Sequence, residues 1–378
     1  MPKSIFSFFS GAGLLDLGFE NEGYNIVAVN EYCEDFLNAY IYARENNNDF
    51  DVPQYGYYQG DINDFLVGEL NQLLHDRINE QRVAGNLVGF IGGPPCPDFS
   101  VGGKNLGRNG ANGVLAKSYV DLIINCHPDF FVFENVKGLV KTEKHKIYFN
   151  ELKQSLTDAN YIIADKILNA LCFGVPQDRE RVIMIGIASD VFNLEEYTDD
   201  RGMLNFPWLE NAMFENAYEI KNRQWRTTQE FAEDNRRNYP QLLSNEYREL
   251  CVETWFRRND VENHPNGNDV FRVKQGRQKM QTIEEGDVSR KSFKRLHRWR
   301  FSPTAAYGNN EVHLHPYKIR RLSVAETMAI QSLPQWFSLP HEMTLTNKFK
   351  VVGNGVPVLM ASSIARTLSD FLDRLEEE

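Results

Sequence analysis

The sequence predicts an open, mainly parallel α/β sheet wound with helices on both faces, carrying a smaller inserted domain. Three observations predict it. Residues 1–190 alternate short apolar runs with helical stretches, the pattern of strands joined by crossover helices. Several of the runs lack the every-second-residue alternation of a half-exposed strand and so suit strands buried on both faces. Near Asp190 the chain turns polar and irregular, rich in Asn, Arg and Glu, and from Lys318 a helical pattern returns.

The elements follow in order. Ile5–Phe9 is the first strand, and Ser10, Gly11 and Gly13 form a glycine turn into a helix. Such a turn lets a ligand approach the backbone at the carboxyl end of a first strand, although GxG alone is more often an ordinary tight βα turn. Ile26–Asn30 is the second strand, and it delivers Glu31 where doubly wound folds bind ribose hydroxyls. Gly60-Asp61-Ile62 ends a third strand. Each acid by itself is more often an N-cap or a solvated loop residue; together they describe an adenosine pocket. Helical stretches are expected at Cys33–Arg44, Asp64–His75, Ala116–Cys126 and Lys146–Asp158.

Leu87–Gly92 is a further strand, running into Gly93-Pro94-Pro95-Cys96-Pro97. A cysteine between prolines on a stiff loop is a poor core residue and a candidate nucleophile, whose thiolate form a nearby cation would favour. The Gly/Asn/Lys-rich segment 101–114 cannot easily pack as an element and suits a lid beside that thiol. Phe130–Glu134 carries a carboxylate to a strand's carboxyl end. Desolvation there raises its pKa and suits it to proton donation. Val182–Ile187 is preceded by Gln177, Arg179 and Arg181, two arginines that point the same way in a strand, with a surface ion-pair ladder as the plain alternative.

Composition limits the functions available. The chain has 378 residues, 42% hydrophobic and 25% charged, which excludes disorder as the dominant state. No apolar run approaches ~18 residues, so no membrane span is expected, and the N-terminal apolar stretch is too short for a signal peptide. Five scattered cysteines without a CxxC pair predict neither a zinc cluster nor a disulfide framework, and no metal is expected. A reducing, cytoplasmic setting follows. The net charge of −11 argues against nucleic acid as a partner, but residues 288–310 contain no acid and hold Arg290, Lys291, Lys294, Arg295, Arg298 and Arg300 between aromatic residues.

On these motifs the sequence resembles the DNA cytosine-C5 methyltransferases of bacterial restriction–modification systems. The matches run in order: Phe6–Phe19, Gly92–Ser100, Glu134-Asn135-Val136, Gln177/Arg179/Arg181, Arg321–Glu326 with Gln331-Ser-Leu-Pro334, and Val352–Val356. Ser7 and Leu14 depart from the family pattern, which often has Asp and Gly there. The resemblance implies a Rossmann-like S-adenosylmethionine methyltransferase fold and a flipped-out cytosine in duplex DNA. Cys96 would attack C6, Glu134 would assist at N3, Asn135 would fix the loop, and Arg181, supported by Arg179, would contact O2. Phe9, Ser10, Gly11, Gly13, Leu14, Glu31, Tyr32, Asp61, Ile62, Pro95, Leu115, Asn354, Gly355 and Val356 would form the cofactor site.

Ser100, Gly102 and Lys104 would lie on the lid against DNA. Gln275, Arg277 and Gln278 would read bases, Arg290, Lys294 and Arg298 would meet phosphates, and Thr304 would sit beside the target phosphate. The organisation implied is a catalytic domain over 1–190, a recognition domain over 191–317, an organising helix over 318–345 and a returning C-terminal helix over 346–378. A monomer, with a cognate restriction endonuclease in the same host, is the expected setting. A tRNA cytosine-C5 methyltransferase and a catalytically silent DNA-binding paralogue are the alternatives.

Overall fold

The computed structural model describes residues 1–378 except 48–49, 96–110, 234–243, 274–275, 291, 305–311 and 378, and the side chains of 111–112. Its centre is a seven-stranded sheet. In chain order the strands are β1 (Lys3–Phe8), β2 (Asn25–Glu31), β3 (Tyr57–Gln59), β4 (Leu87–Gly92), β5 (Phe130–Val136), β6 (Tyr161–Asn169) and, after the two-residue β7 (Gln177–Asp178), β8 (Glu180–Ala188). Their spatial order is β3-β2-β1-β4-β5-β8-β6. All neighbours are parallel except β8, which runs antiparallel between β5 and β6. β1, β4 and most of β5 are buried on both faces, as their unbroken apolar runs predict.

The helices α1 (Leu14–Glu20), α2 (Glu34–Glu45), α3 (Gly68–Val83), α4 (Ala111–Cys126), α5 (Gly138–Lys141) and α6 (Glu143–Asp158) flank the sheet. Two expectations need correction. The third helix starts at Gly68, because Asp61 caps a 3-10 turn over Ile62–Phe65 first. The edge strand β6 was not foreseen: its sequence mixes Asp165 and Lys166 into an apolar run, as an exposed edge allows.

The region after Asp190 is not one inserted unit from its first residue. Phe192, Leu194, Leu204, Phe206 and Trp208 join the main core, packed with the last helix. The following stretch holds α7 (Ala217–Asn222), α8 (Asn245–Glu249), α9 (Val252–Arg258) and α10 (Arg277–Gln281), with two-residue strands β9 (Lys294–Arg295), β10 (Ser302–Pro303) and β11 (His313–Leu314). It has two small cores, around Trp225 and Trp299 and around Met280 and Leu314.

α11 (Val324–Ile330) opens with a Ser323/Glu326 capping box. It packs between α9 on one side and α1, α2 and α12 (Leu345–Asn354) on the other. α13 (Val358–Glu376) then returns to the sheet and lies along α1. The stretch Leu345–Glu376 is apolar enough by composition to cross a membrane. Here it is two helices broken at Gly355–Pro357, and the apolar face of α13 fills the main core.

The basic run of residues 290–300 does not form one solvated face. Arg298 is buried and pairs with Glu285, Nε to Oε1 at 2.8 Å and Nη2 to Oε2 at 2.6 Å. Burial alone would push Glu285 up, but Arg298 holds its carboxyl below the usual range. Arg295 is also buried and donates to the carbonyls of Met280, Ile283, His315 and Lys318. These arginines help hold together a region with only short, two-stranded pairings among its described residues. Arg298→Ala strands Glu285 as a buried unpaired charge, a loss of about 3–5 kcal/mol. Thermal unfolding is expected to show a large drop in midpoint, with the slope of log affinity against log salt unchanged. A lower slope with normal stability would restore Arg298 to the phosphate contacts.

Candidate active site

The carboxyl ends of β1, β2, β4 and β5 lie together at one edge of the sheet, since Phe8 pairs with Asn30 and Gly92, and Gly92 with Phe133. Each end delivers one predicted motif. After β1, Phe9, Gly11 and Gly13 all adopt positive φ, at 55°, 59° and 75°. Gly13 must be glycine: a Cβ there would stand 2.4 Å from the Tyr40 ring. The turn is tied to β2 through Glu31, whose Oε2 accepts from the Gly11 amide at 2.8 Å while Oε1 accepts from Cys33 at 2.8 Å. Burial pushes the Glu31 carboxyl up against those donors. Beside it Tyr32 is 71% exposed, and the Ser10 hydroxyl, itself shielded from solvent, has no partner among the described residues. Asp61, at the end of β3, spends one oxygen on capping the next turn, accepting from the Asn63 amide at 2.9 Å.

The turn rests on a buried polar group. Arg44 donates to the carbonyl of Gly13 at 3.1 Å and pairs with Glu20 at 2.6 Å, and Ser7 donates to Asp16 at 2.9 Å. Burial raises Asp16 to about 6, against the pull of Arg44. The folded state therefore holds a proton that the unfolded chain has lost, and this stability is present below about pH 4 and lost as pH rises through 6. The loss amounts to about 3 kcal/mol. Asp16→Asn is expected to flatten the fall in melting temperature between pH 4 and pH 7; an unchanged fall would assign it to other groups.

The second half of the site comes from β4, β5 and β8. Glu134 stands on β5 and Arg181 on β8, diagonal neighbours on one face because Val136 pairs with Arg181. Arg181 Nε lies 2.8 Å from Glu134 Oε1, and both side chains are about 10% exposed. Burial raises the Glu134 carboxyl above its ordinary range against the Arg181 and Arg179 charges. Asn135 donates to the Pro94 carbonyl at 3.3 Å, which fixes the loop after β4 relative to Glu134. Gly93 lets that loop pass close: a Cβ there would meet Glu134 Oε2 at 2.8 Å. Pro95 is exposed at the last described position before Cys96. Cys96, Ser100, Gly102, Lys104 and Gln275 lie outside the described residues.

The model for the C-5 cytosine-specific DNA methylase family matches residues 3–370. The chain belongs to this family. It is 51% identical over 98% of its length to the Type II methyltransferase M.NmeDI of Neisseria meningitidis serogroup C, covering 84% of that relative. It is 28% identical to the Type II methyltransferase M.MthTI of Methanothermobacter thermautotrophicus, over 99% of each chain. In structure it resembles a Spodoptera frugiperda DNMT2 variant, at a TM-score of 0.58 and 14% identity over 97% of this chain and 99% of that one, which shows a common fold. As a member of this methylase family, the chain is a DNA cytosine-5-methyltransferase.

Within that family frame, the predicted cofactor residues divide by what they expose. Glu31, Tyr32, Phe9, Asp61 and Asn354 border the edge where the strands end, with Tyr32 and Asn354 exposed. Leu14, Ile62 and Val356 are buried in the cores. Leu14 also explains its own departure from glycine: it fills the space over Gly355, where a Cβ would come within 2.4 Å of it. Leu115 is half-buried against the sheet core.

The Arg179 guanidinium donates to the carbonyls of Gly353 at 2.8 Å and Gly355 at 2.9 Å, and its charge also acts on Glu134. Thr304 is exposed and donates to the Asp178 carbonyl, where β10 pairs with β7. This brings it to the strand that leads into Arg181. Arg277 and Gln278 are exposed on α10, and Arg290 is exposed beside Asp287 at 3.3 Å. Lys294 is half-buried. Gln331 was not assigned a place in the site by its sequence, because a buried amide in a helical pattern carries no signal of what it touches.

Proposed function

We propose that this enzyme methylates C5 of a flipped-out cytosine in a specific duplex DNA sequence, as the modification partner of a restriction endonuclease. The observation that carries this reading is the buried Glu134–Arg181 pair fixed through Asn135 to the loop that leads to Cys96. The glycine turn with its left-handed backbone, the Glu31 carboxylate and the unpartnered Ser10 hydroxyl suit the amino-acid and ribose ends of S-adenosylmethionine. That cofactor, when bound, supplies the methyl group as an electrophile.

The chain's residues do the rest. Cytosine C5 is a poor nucleophile, and addition of the Cys96 thiolate to C6 makes it an enamine carbon. The negative charge that develops runs into the ring toward N3 and O2. Glu134, whose carboxyl burial raises above its ordinary range, is the group placed to assist at N3. Arg181 donates at O2 and orients Glu134. After methylation a base removes the C5 proton, the C5–C6 double bond re-forms and the Cys96 sulfur leaves. The base must leave the stack for its C6 to meet a thiol, so the reaction requires flipping. Arg277 and Gln278 on α10 are assigned to base reading, and Arg290 and Lys294 to phosphates.

The test is methyl incorporation into duplex DNA and into tRNA, followed by bisulfite sequencing of plasmid from an expressing host. Protection of one cytosine in one sequence is expected. Incorporation into tRNA alone would overturn the DNA reading, and no incorporation into either would support a silent paralogue.

A further inference from the structure

The break between α12 and α13 lies at Gly355–Pro357, just after Asn354, and five backbone groups around it are held from outside. A helix end leaves carbonyls unpaired and a helix start leaves amides unpaired, so a break inside a buried segment needs partners for both. Arg179 takes the carbonyls of Gly353 and Gly355. Gln331, fully buried at the end of α11, donates to the Val352 carbonyl at 2.8 Å and its own side-chain oxygen faces Gln177 at 3.4 Å. The Gln331 carbonyl accepts from the Val358 amide at 3.1 Å. Ser332, in the left-handed region at φ 55°, places its hydroxyl to accept from the Leu359 amide at 3.0 Å. Three carbonyls and two amides are thus tethered on both sides of the turn. Pro357 lacks an amide hydrogen and needs no partner.

From this geometry we infer that Gln331 and Ser332, with Arg179, are positioning residues for the cofactor, acting on it only through the backbone of the 352–359 turn. The inference rests on the reading of Asn354–Val356 as part of the S-adenosylmethionine site. None of the three side chains needs to touch the ligand. What they fix is the position of the Asn354 side chain and the Val356 amide relative to the glycine turn after β1, whose Leu14 packs under Gly355. α11 also packs on α9 of the preceding region, so the turn is held by the element that joins the two halves.

The experiment measures S-adenosylmethionine affinity of the full chain by calorimetry, alongside covalent trapping on a 5-fluorocytosine duplex at saturating cofactor. Gln331→Met keeps volume and loses both amide contacts. Ser332→Gly removes the hydroxymethyl group and suits the left-handed backbone at that position. Each is expected to weaken cofactor binding about five- to tenfold, the scale of a buried hydrogen bond, with trapping rates at saturation within about threefold. Arg179→Lys, which can still reach one carbonyl, is expected to recover part of the loss seen in Arg179→Met. Cofactor affinities within twofold of the parent for both Gln331→Met and Ser332→Gly, with lowered melting temperature alone, would overturn the inference. Glu31→Ala separates the two failures: if it also leaves affinity unchanged, the cofactor site itself is misplaced.

Discussion

Cys96→Ser is expected to retain S-adenosylmethionine binding and to lose methyl transfer by at least about a thousandfold, as removal of a nucleophile does. The parent enzyme is expected to form a stable adduct with duplex DNA bearing 5-fluorocytosine, because fluorine at C5 cannot leave as a proton and the sulfur stays bonded to C6. Gel-shift under denaturing conditions reads the adduct directly. The other thiols are poor substitutes. Cys126, Cys172 and Cys251 are buried, and burial raises each, Cys126 to about 12. Cys33 sits at the start of α2, beside Glu31. An adduct that persists in Cys96→Ala would therefore point to Cys33 and overturn the assignment.

The second large effect belongs to Glu134. Glu134→Gln retains a donor toward N3 but has no proton to give. The expected loss in turnover is about two to four orders of magnitude, the usual worth of a positioned acid. The pH dependence carries the sign. Burial raises Glu134, so its protonated form persists above the ordinary carboxylate range and is depleted as pH rises through the raised value. Parent turnover limited by this donation falls along that alkaline limb, and Glu134→Gln is expected to remove the limb with the rate. Turnover within threefold of the parent, with the limb intact, would show that another group protonates the ring.

Much of this architecture is legible in the sequence because its signals are local. Apolar runs without alternation give β1, β4 and β5, and motifs fall at their carboxyl ends because a parallel sheet puts all those ends on one side. The antiparallel β8 is different. Its sequence gives a strand, yet nothing in it gives the pairing that sets Arg181 diagonal to Glu134. Burial of charge was the least legible property. Arg298 and Arg290 stand in one run with the same local chemistry, but Glu285, 13 residues away, removes Arg298 from the surface. The contacts of Arg179 are illegible for a similar reason, since they include carbonyls 174 and 176 residues away. Long-range partners of a polar side chain leave no periodicity.

The placement of α13 has a consequence for biosynthesis. All strands of the large sheet are complete once Ala188 has been made, yet one face of that sheet is covered by Met360, Ile364, Leu368 and Phe371, near the opposite end of the chain. Domains generally fold as the chain emerges, but this one keeps an open apolar face from the completion of its sheet until the last helix has been made. A chain stopped before Val358 has its thiol, its glutamate and its glycine turn, and no lid on its core. Such a fragment is a client for chaperones and proteases, and premature termination in this coding sequence leaves no weakly active methyltransferase behind.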